Sequence, residues 1–446
     1  MTADPGASCD TTIAPRAGFF AGSAKAAFAL FLMTAAFMLT KTGRDALYFQ
    51  RDGFLQLPKA YLGIAILAGP AAAVTLMLMR KFGPPCARVV ATLAMAAAQM
   101  VFFAVAEPGG EWWMTLFFVL VPLCYGVLLA QAWLLAAEHL ETAPRDLLPR
   151  LYSTLGASSM LGGLAGAAFA RAIGGLVEAR SLLAVGALAL AGSAAAMAVA
   201  QRSVGRGPST WRSEVAPPPA GGRYPPLKEM LGVLRHRYPL LLALVGIFGS
   251  ITGVLIEFQF YWSVADPAST PRDNVALFAT FYLLLNAAAL LVQILGMPPL
   301  QRRVGVWGSL LVLPGALIGG AAVAAVSASA FARAGLRIAE SGLKSSIHRV
   351  NWEQAYLPLD RGARAMTKLL VDGVAARVGE GAAAGMLLFW LSGFDAGAIG
   401  SQSTRWIIYT LIVAAIVWLA LTLKLAPHLH SFSREEARPD IPLPDG

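Results

Sequence analysis

Between Arg333 and Glu380 the chain concentrates charge in a way that its surroundings do not. Arg333, Arg337, Glu340, Lys344, His348, Arg349, Glu353, Asp360, Lys368, Asp372, Arg377 and Glu380 lie in one stretch flanked by long runs of Ala, Leu, Val and Gly. Ionised groups on segments that otherwise suit lipid are costly, so they face a protein interior or a water-filled path. The basic residues at 333, 337, 344 and 348–349 advance in steps of four to seven, roughly one or two helical turns each. They are expected to stack along one broad helical face, with Lys344 and Arg349 as cationic contacts for an anionic small molecule.

Three smaller groups carry the same chemistry. In LTKTGRDALYFQRDG, Lys41, Arg44, Asp45 and Tyr48 are spaced three and four apart and share a helical face. Lys41 and Arg44 suit an anion, with Asp45 holding them in place; outer-loop charges are the plainer alternative. Glu257 in GVLIEFQFYWSVA is a carboxylate among Ile and Phe that needs a partner, a proton or water. Its plainer reading is an end residue satisfied by Arg272 or Gln259. Lys368 and Asp372 form an i,i+4 pair, followed by Arg377 and Glu380. Glu380 lies about 18 Å along a helix from Lys368, near the membrane middle, between Gly379 and Gly381. These carboxylates, Glu257, Asp372 and Glu380, are the expected proton-coupling or gating groups.

The chemistry that is missing narrows the classes. Cys9, Cys86 and Cys124 are scattered and unpaired in spacing, so neither a disulfide framework nor a metal site is expected. His139 and His348 sit alone near apolar segments, and no phosphate-cradling Gly loop or nucleophile triad is present. No cofactor, no metal and no enzymatic activity are therefore expected.

The elements that must position these residues are apolar helices. Of 446 residues, 57% are hydrophobic and 13% charged, with a mean hydropathy of +0.63, against roughly 25% charged in a soluble domain. Twelve apolar runs near membrane-spanning length are found at about 22–48, 59–80, 86–106, 112–137, 152–176, 181–201, 238–262, 274–296, 305–328, 329–348, 364–392 and 404–424. The expected fold is an all-α integral membrane protein of twelve transmembrane helices in two six-helix, pseudo-symmetric halves. The halves are 1–201 and 238–446, joined by a Pro-, Gly- and Arg-rich loop, 202–237, that closes on an amphipathic PLKEMLGVLRHR.

Charge sets the orientation. Basic residues gather in alternate connections: Arg80 and Lys81, Arg145 and Arg150, the 202–237 loop, Arg302 and Arg303, Arg361 and Arg364. The 107–111 connection has none, which places both termini in the cytoplasm of a multi-pass inner-membrane protein. That bias accounts for the net charge of +10 without a nucleic-acid partner. The region 41–59 is the exception. The second and eighth spans both end in a basic pair followed by a glycine, Arg80-Lys81-x-Gly83 and Arg302-Arg303-x-Gly305. Matching turns half a chain apart fit a parallel duplication of the major facilitator type. Gly156, Gly162, Gly163 and Gly166 in the fifth span are read as helix-packing residues. Ser153, Thr154, Ser158 and Ser159 there either line a cavity or bond to their own helix.

KSSIHRVNWEQAYLPLDRGARAMTKLLVDGVAARVGEG resembles the signature of the nucleotide (ATP/ADP) transporters of plastids and obligate intracellular bacteria. The matching positions are Lys344, Ser346, Glu353, Ala355, Tyr356, Pro358, Leu359 and Asp360, then Lys368 and Asp372. The family's Lys-Asp pair of span one falls on Arg44-Asp45, and its acidic residue of span seven on Glu257. The resemblance implies a major facilitator-like fold and exchange of ATP for ADP and phosphate. The family's functional lysine of span eleven falls on Glu380, which places an anion where a triphosphate would need a cation. The family's acidic position in span five has no counterpart between Leu151 and Met160. The resemblance thus points to a divergent member from free-living bacteria.

Together these readings imply a secondary active transporter of an organic anion, phosphorylated or a nucleotide, working by alternating access, with protons as the coupling ion and membrane lipid around it. The alternative is a non-transporting membrane partner or sensor that retains the transporter fold, with 202–237 as its docking loop. The orientation is checked with topology reporters. A phosphatase fused within 107–111 is expected to be active only in the periplasm, and a fluorescent protein after Gly446 to fold in the cytoplasm.

Overall fold

The computed structural model describes residues 13–49, 53–105, 111–140, 148–202, 232–264, 270–327, 329–356, 358–359, 361–392 and 401–436. Most of the 202–237 loop, with the first half of PLKEMLGVLRHR, and Asp360 lie outside them. The described residues are helical: α1 (Ile13–Tyr48), α2 (Gly53–Phe82), α3 (Pro84–Val105), α4 (Glu111–Leu140), α5 (Leu148–Ile173) and α6 (Ser181–Gln201) come first. They are followed by α7 (Arg237–Val264), α8 (Pro271–Leu291), α9 (Met297–Val326), α10 (Ala330–Leu343), α11 (Arg349–Gln354), α12 (Arg361–Lys368), α13 (Ala376–Ser392) and α14 (Ser401–Glu436). Three π-helical turns, Val292–Gly296, Lys344–His348 and Leu369–Ala375, link α8 to α9, α10 to α11 and α12 to α13.

Among the described residues ten helices are long and apolar enough to cross a membrane. The other two expected spans are helical too. Gly and Ser dilute the apolar content of α5, and α10 carries Arg333, Arg337 and Glu340. Where the sequence runs from the ninth span into the tenth with no evident turn, Ser327 is extended and Ser329 accepts a hydrogen bond from the Ala332 amide at 3.2 Å. A serine N-cap satisfies one of the four donors that a helix start leaves unpaired.

The basic-pair turns share one backbone feature. Gly83 and Gly305 have φ of +75° and +68°, and they are the positive-φ glycines of the described residues. A side chain at such a φ is strained, so both turns need glycine where the two sequence segments match.

The chain divides into two compact units. The first comprises 1–51, 69–209 and 268–286; the second comprises 52–68, 210–267 and 287–446. In the first, α1 is held by α5 and α6 through small residues. A Cβ on Gly162 would strike the Phe31 carbonyl and Thr34 Oγ1, one on Gly166 would lie 2.5 Å from the Ala35 carbonyl, and one on Gly186 would lie 2.5 Å from Thr40 Oγ1. Ser158 donates to the Ala27 carbonyl at 2.5 Å, Ser193 to the Ala29 carbonyl at 2.8 Å, and Thr34 to the Ser159 carbonyl at 2.7 Å. Ser158 therefore bonds across to another helix, neither lining a cavity nor capping its own. Lipid is as apolar as leucine, so van der Waals fit and hydrogen bonds of this kind hold such helices together. Thr40, Gln99 and Tyr125 close a buried triangle with contacts of 2.8–3.2 Å, and Arg88 of α3, 1% exposed, forms a bidentate pair with Glu138 of α4.

In the second unit α7 is central, with Leu242, Leu255, Ile256, Phe258 and Tyr261 almost fully buried. A Cβ on Gly379 of α13 would strike the Ile247 carbonyl, and Gly249 of α7 lies against the Trp418 ring of α14.

Gly162→Val is expected to lower stability by about 1–3 kcal/mol, the usual cost of forcing atoms into a close-packed contact. Gly126, with nothing within 4 Å of its Cβ position, is the control: Gly126→Ala should leave the thermal midpoint in detergent unchanged.

Candidate functional site

In the first unit α1 runs unbroken to Tyr48, so the Lys41–Tyr48 group is helical and not a loop. Arg44 is 4% exposed and Asp45 fully buried. Arg44 Nε donates to Asp45 Oδ1 at 2.7 Å, and its guanidinium lies over the Phe118 ring, 4.1 Å from the centroid. The Tyr282 hydroxyl donates to Asp45 Oδ2. Tyr282 is also 4.8 Å from Lys41 Nζ across its ring face. Placing an arginine and an aspartate side by side neutralises the charge that breaks the positive-inside pattern. Lys41 is the more open cation of the group, being only half-buried.

The second unit holds a larger network. Arg337 of α10 is 12% exposed and bridges two carboxylates: its NH2 group lies 2.9 Å from Glu257 of α7, and NH1 lies 2.5 Å from Glu340. Glu340, 3% exposed, also accepts from Ser341 Oγ at 2.9 Å and meets Lys344 Nζ at 3.2 Å. Lys344 itself is 51% exposed. A Cβ on Gly253 of α7 would lie 3.2 Å from Lys344 Nζ and 3.4 Å from Glu340 Oε1, so glycine there lets the charged face of α10 approach α7. The Tyr261 hydroxyl donates to Glu257 at 3.4 Å. Two carboxylates and two cations balance, and the chain of pairs runs from a buried end at Glu340 to an open ammonium at Lys344.

Arg377 and Glu380 pair on α13 at 2.5 Å, with 36% and 22% of their side chains exposed, and Glu380 also feels the charges of Lys344 and Glu257 in the larger network. The anion at position 380 thus has a cation of its own one turn away. Gly381 permits close packing, a Cβ there lying 3.4 Å from Ala65 Cβ.

Lys368 and Asp372 remain close enough to attract, but each takes another direct partner. Lys368 pairs with Glu353, while Asp372 accepts from the Tyr356 hydroxyl at 3.1 Å and from Trp352 Nε1 at 3.4 Å. The π-turn at Leu369–Ala375 is the reason: a wider turn moves residues four apart out of line. Arg364 donates to the Tyr356 and Leu359 carbonyls at 3.1 and 3.0 Å, and Tyr238 to the Ala355 carbonyl at 2.5 Å. The residues of the AYLPLD segment that are described therefore fasten the α11–α12 connection. Arg349 opens α11, exposed, one π-turn beyond Lys344. His348 stacks on Trp352, ring centroids 5.6 Å apart, and meets the edge of Trp418 at 5.5 Å.

Arg337 and Glu340 were not singled out by sequence as site residues, although both lie in the charged stretch. The signal is in the spacing: Glu340 and Arg337 sit four and seven residues before Lys344, the spacing of one helical face. Among the described residues no group of His, Cys, Asp and Glu is arranged to hold a metal ion.

No family model matches the chain, and no curated protein sequence does. Solved structures do. The chain is similar to the nucleoside transporter NupG at 12% identity and a TM-score of 0.60, covering 91% of this chain and 98% of that one. A point variant of NupG gives 12% identity and a TM-score of 0.64 over 91% and 99% of the two chains. A bacterial homologue of the human lysosomal transporter Spinster, inward-facing and unoccupied, gives 12% identity and a TM-score of 0.54 over 92% and 98%. At this identity the likeness is one of fold, and the fold is major facilitator-like.

Removing Arg337 alone would leave Glu257 and Glu340 without their shared cation. Arg337→Met is expected to cost about 3–5 kcal/mol, and adding Glu257→Gln and Glu340→Gln to recover most of it. Denaturant unfolding in detergent measures both; equal stability of the single and triple variants would contradict the bridge.

Proposed function

We propose that this chain is a secondary transporter of a small organic anion, and that the second unit's Glu257–Arg337–Glu340–Lys344 network is its anion- and proton-handling centre. The observation that carries the reading is the half-exposed Lys344 held by the buried Glu340. A carboxylate or phosphate on the substrate can take the place of Glu340 at the Lys344 ammonium. Glu340 then needs either Arg337 alone or a proton, because an uncompensated buried carboxylate is costly. Substrate charge and proton uptake are thereby linked at one residue. Within the first unit Lys41 is the second candidate contact, with Arg44 and Asp45 positioning α1 around it. Arg349, Lys368, Asp372 and Arg377 are candidate contacts at the edges of the second unit's network.

The nucleoside and lysosomal transporters of similar fold support a small-molecule substrate. The motif resemblance at Lys344–Asp372 favours a phosphorylated one, and the Arg377–Glu380 pair removes much of the repulsion that a lone Glu380 would exert on phosphate oxygens. Both termini are assigned to the cytoplasmic side of the inner membrane.

Proteoliposomes test this directly, with labelled ATP, ADP and a panel of phosphorylated and carboxylated anions, with and without an inward proton gradient. ATP uptake that requires internal ADP would establish nucleotide exchange. Gradient-dependent uptake of another anion would establish proton-coupled transport instead. Silence on every substrate would sink the reading in favour of a non-transporting partner. With a substrate in hand, Lys344→Gln is expected to raise KM on the order of tenfold, the worth of one charge-assisted hydrogen bond. Glu340→Gln is expected to abolish gradient-driven uptake while counterflow exchange persists.

A further inference from the structure

A groove of about 490 Å³ runs along the seam of α1 and α6 in the first unit, apart from the charged networks above. Ala24, Gly192 and Ala195 line it, where small side chains leave room between the larger Phe28 and Val199. Phe28 is 55% and Val199 45% exposed, so the groove opens sideways, where lipid meets a membrane-spanning helix. Among the described residues Lys25 is the one charged residue lining it. Between Ser23 and Thr40 α1 carries no other charge, and α6 carries none from Ser181 to Gln201. Arg202, exposed, follows Val199 by three residues, about one turn (~4.5 Å) further along α6.

The groove thus has an apolar trough with positive charge gathered at one end. That end is where the first span begins, on the same side as the Arg80-Lys81 turn, which the basic-residue bias assigns to the cytoplasm. A water-soluble anion would find no hydrogen-bonding partner along the trough. A long-chain amphiphile with an anionic head would satisfy both parts: chain against Ala, Gly and Phe28, head against Lys25 and Arg202. The cytoplasmic leaflet supplies such molecules, and basic pockets between helices on that side suit their head groups. Lysine is the appropriate residue, because its long stem lies along apolar surface while the ammonium reaches the head-group layer.

We infer that the α1–α6 groove is a binding site for an anionic phospholipid, one acyl chain lying in the trough and the phosphate held by Lys25 and Arg202. The lipid would bear on α1, the helix that also carries Lys41 and Arg44, so its occupancy bears on the stability of the whole first unit.

The test places a reporter in the groove. Phe28→Trp, at an exposed position, is reconstituted into phosphatidylcholine bilayers containing equal minor amounts of brominated phosphatidylglycerol or brominated phosphatidylcholine. The signal is the quenching in excess of the parent protein, whose own ten tryptophans are the background. Brominated phosphatidylglycerol is expected to quench about fivefold more effectively per lipid, the preference that one basic residue at an anionic surface confers. Lys25→Gln should lower that preference and Lys25→Gln with Arg202→Gln should remove it, while Ala195→Leu, which fills the trough, should weaken quenching by both lipids. Equal quenching by the two lipids would overturn the inference, leaving ordinary unselective lipid contact. No quenching by either would also overturn it, since a protein segment would then cover the groove.

Discussion

An ionised side chain among apolar helices has to be held by an opposite charge, and the second unit is built around that requirement. Arg337 is the pivot. It reaches Glu257 on α7 and Glu340 on its own helix, and without it two carboxylates would face a low-dielectric surrounding. Gly253 serves the same end by letting Lys344 and Glu340 come up against the α7 backbone. A larger residue there would have to displace the ammonium or the carboxylate. The π-turn at Lys344–His348 begins where the paired residues end, and it redirects the helix so that His348 joins an aromatic cluster with Trp352 and Trp418. Wider turns of this kind often mark functional positions in helices.

The first unit meets the same physical demand in a more economical way. Arg44 and Asp45 are adjacent in sequence and neutralise one another, and Phe118 and Tyr282 cover the pair with aromatic surface. Its helices are joined less by charge than by approach. Glycines on α5 and α6 bring their backbones against α1, and hydroxyl groups stitch the contact to carbonyls that a helix interior leaves accessible. The small residues that make α5 and α6 good partners for α1 also leave the groove beside Phe28, so close packing and an open trough arise from one compositional choice.

The charge balance of the Glu257–Arg337–Glu340–Lys344 network bears on mechanism. A cluster that is neutral when empty does not attract an anion by bulk charge alone. On the proposal above it would respond to one by exchange of partners, and the group with most to lose is Glu340, the most buried of the four. In the mechanism proposed above, coupling of substrate to protons would need no separate device, because the carboxylate that yields its lysine would be the one driven to take a proton.

The sequence by itself settled the class of the fold, because runs of about twenty apolar residues cannot be packed repeatedly into a soluble core and lipid accepts only satisfied backbones. It also located the charged stretch, the two basic turns whose glycines adopt positive φ, and the small-residue face of α5. Periodicity is a local property, and these features are local. The pairings were decided by the tertiary structure. That Lys368 meets Glu353, that Asp372 meets Tyr356, and that Arg337 joins Glu257 depends on helix register and on π-turns that widen it by a residue. Ideal helical spacing carries no mark of where such a turn will fall. Ser158 shows the same limit: its hydroxyl was legible as a donor, but the acceptor on Ala27 exists only once α5 lies against α1. Contacts between residues distant in the chain follow from which helices touch, and that is set by the fit of whole helical faces.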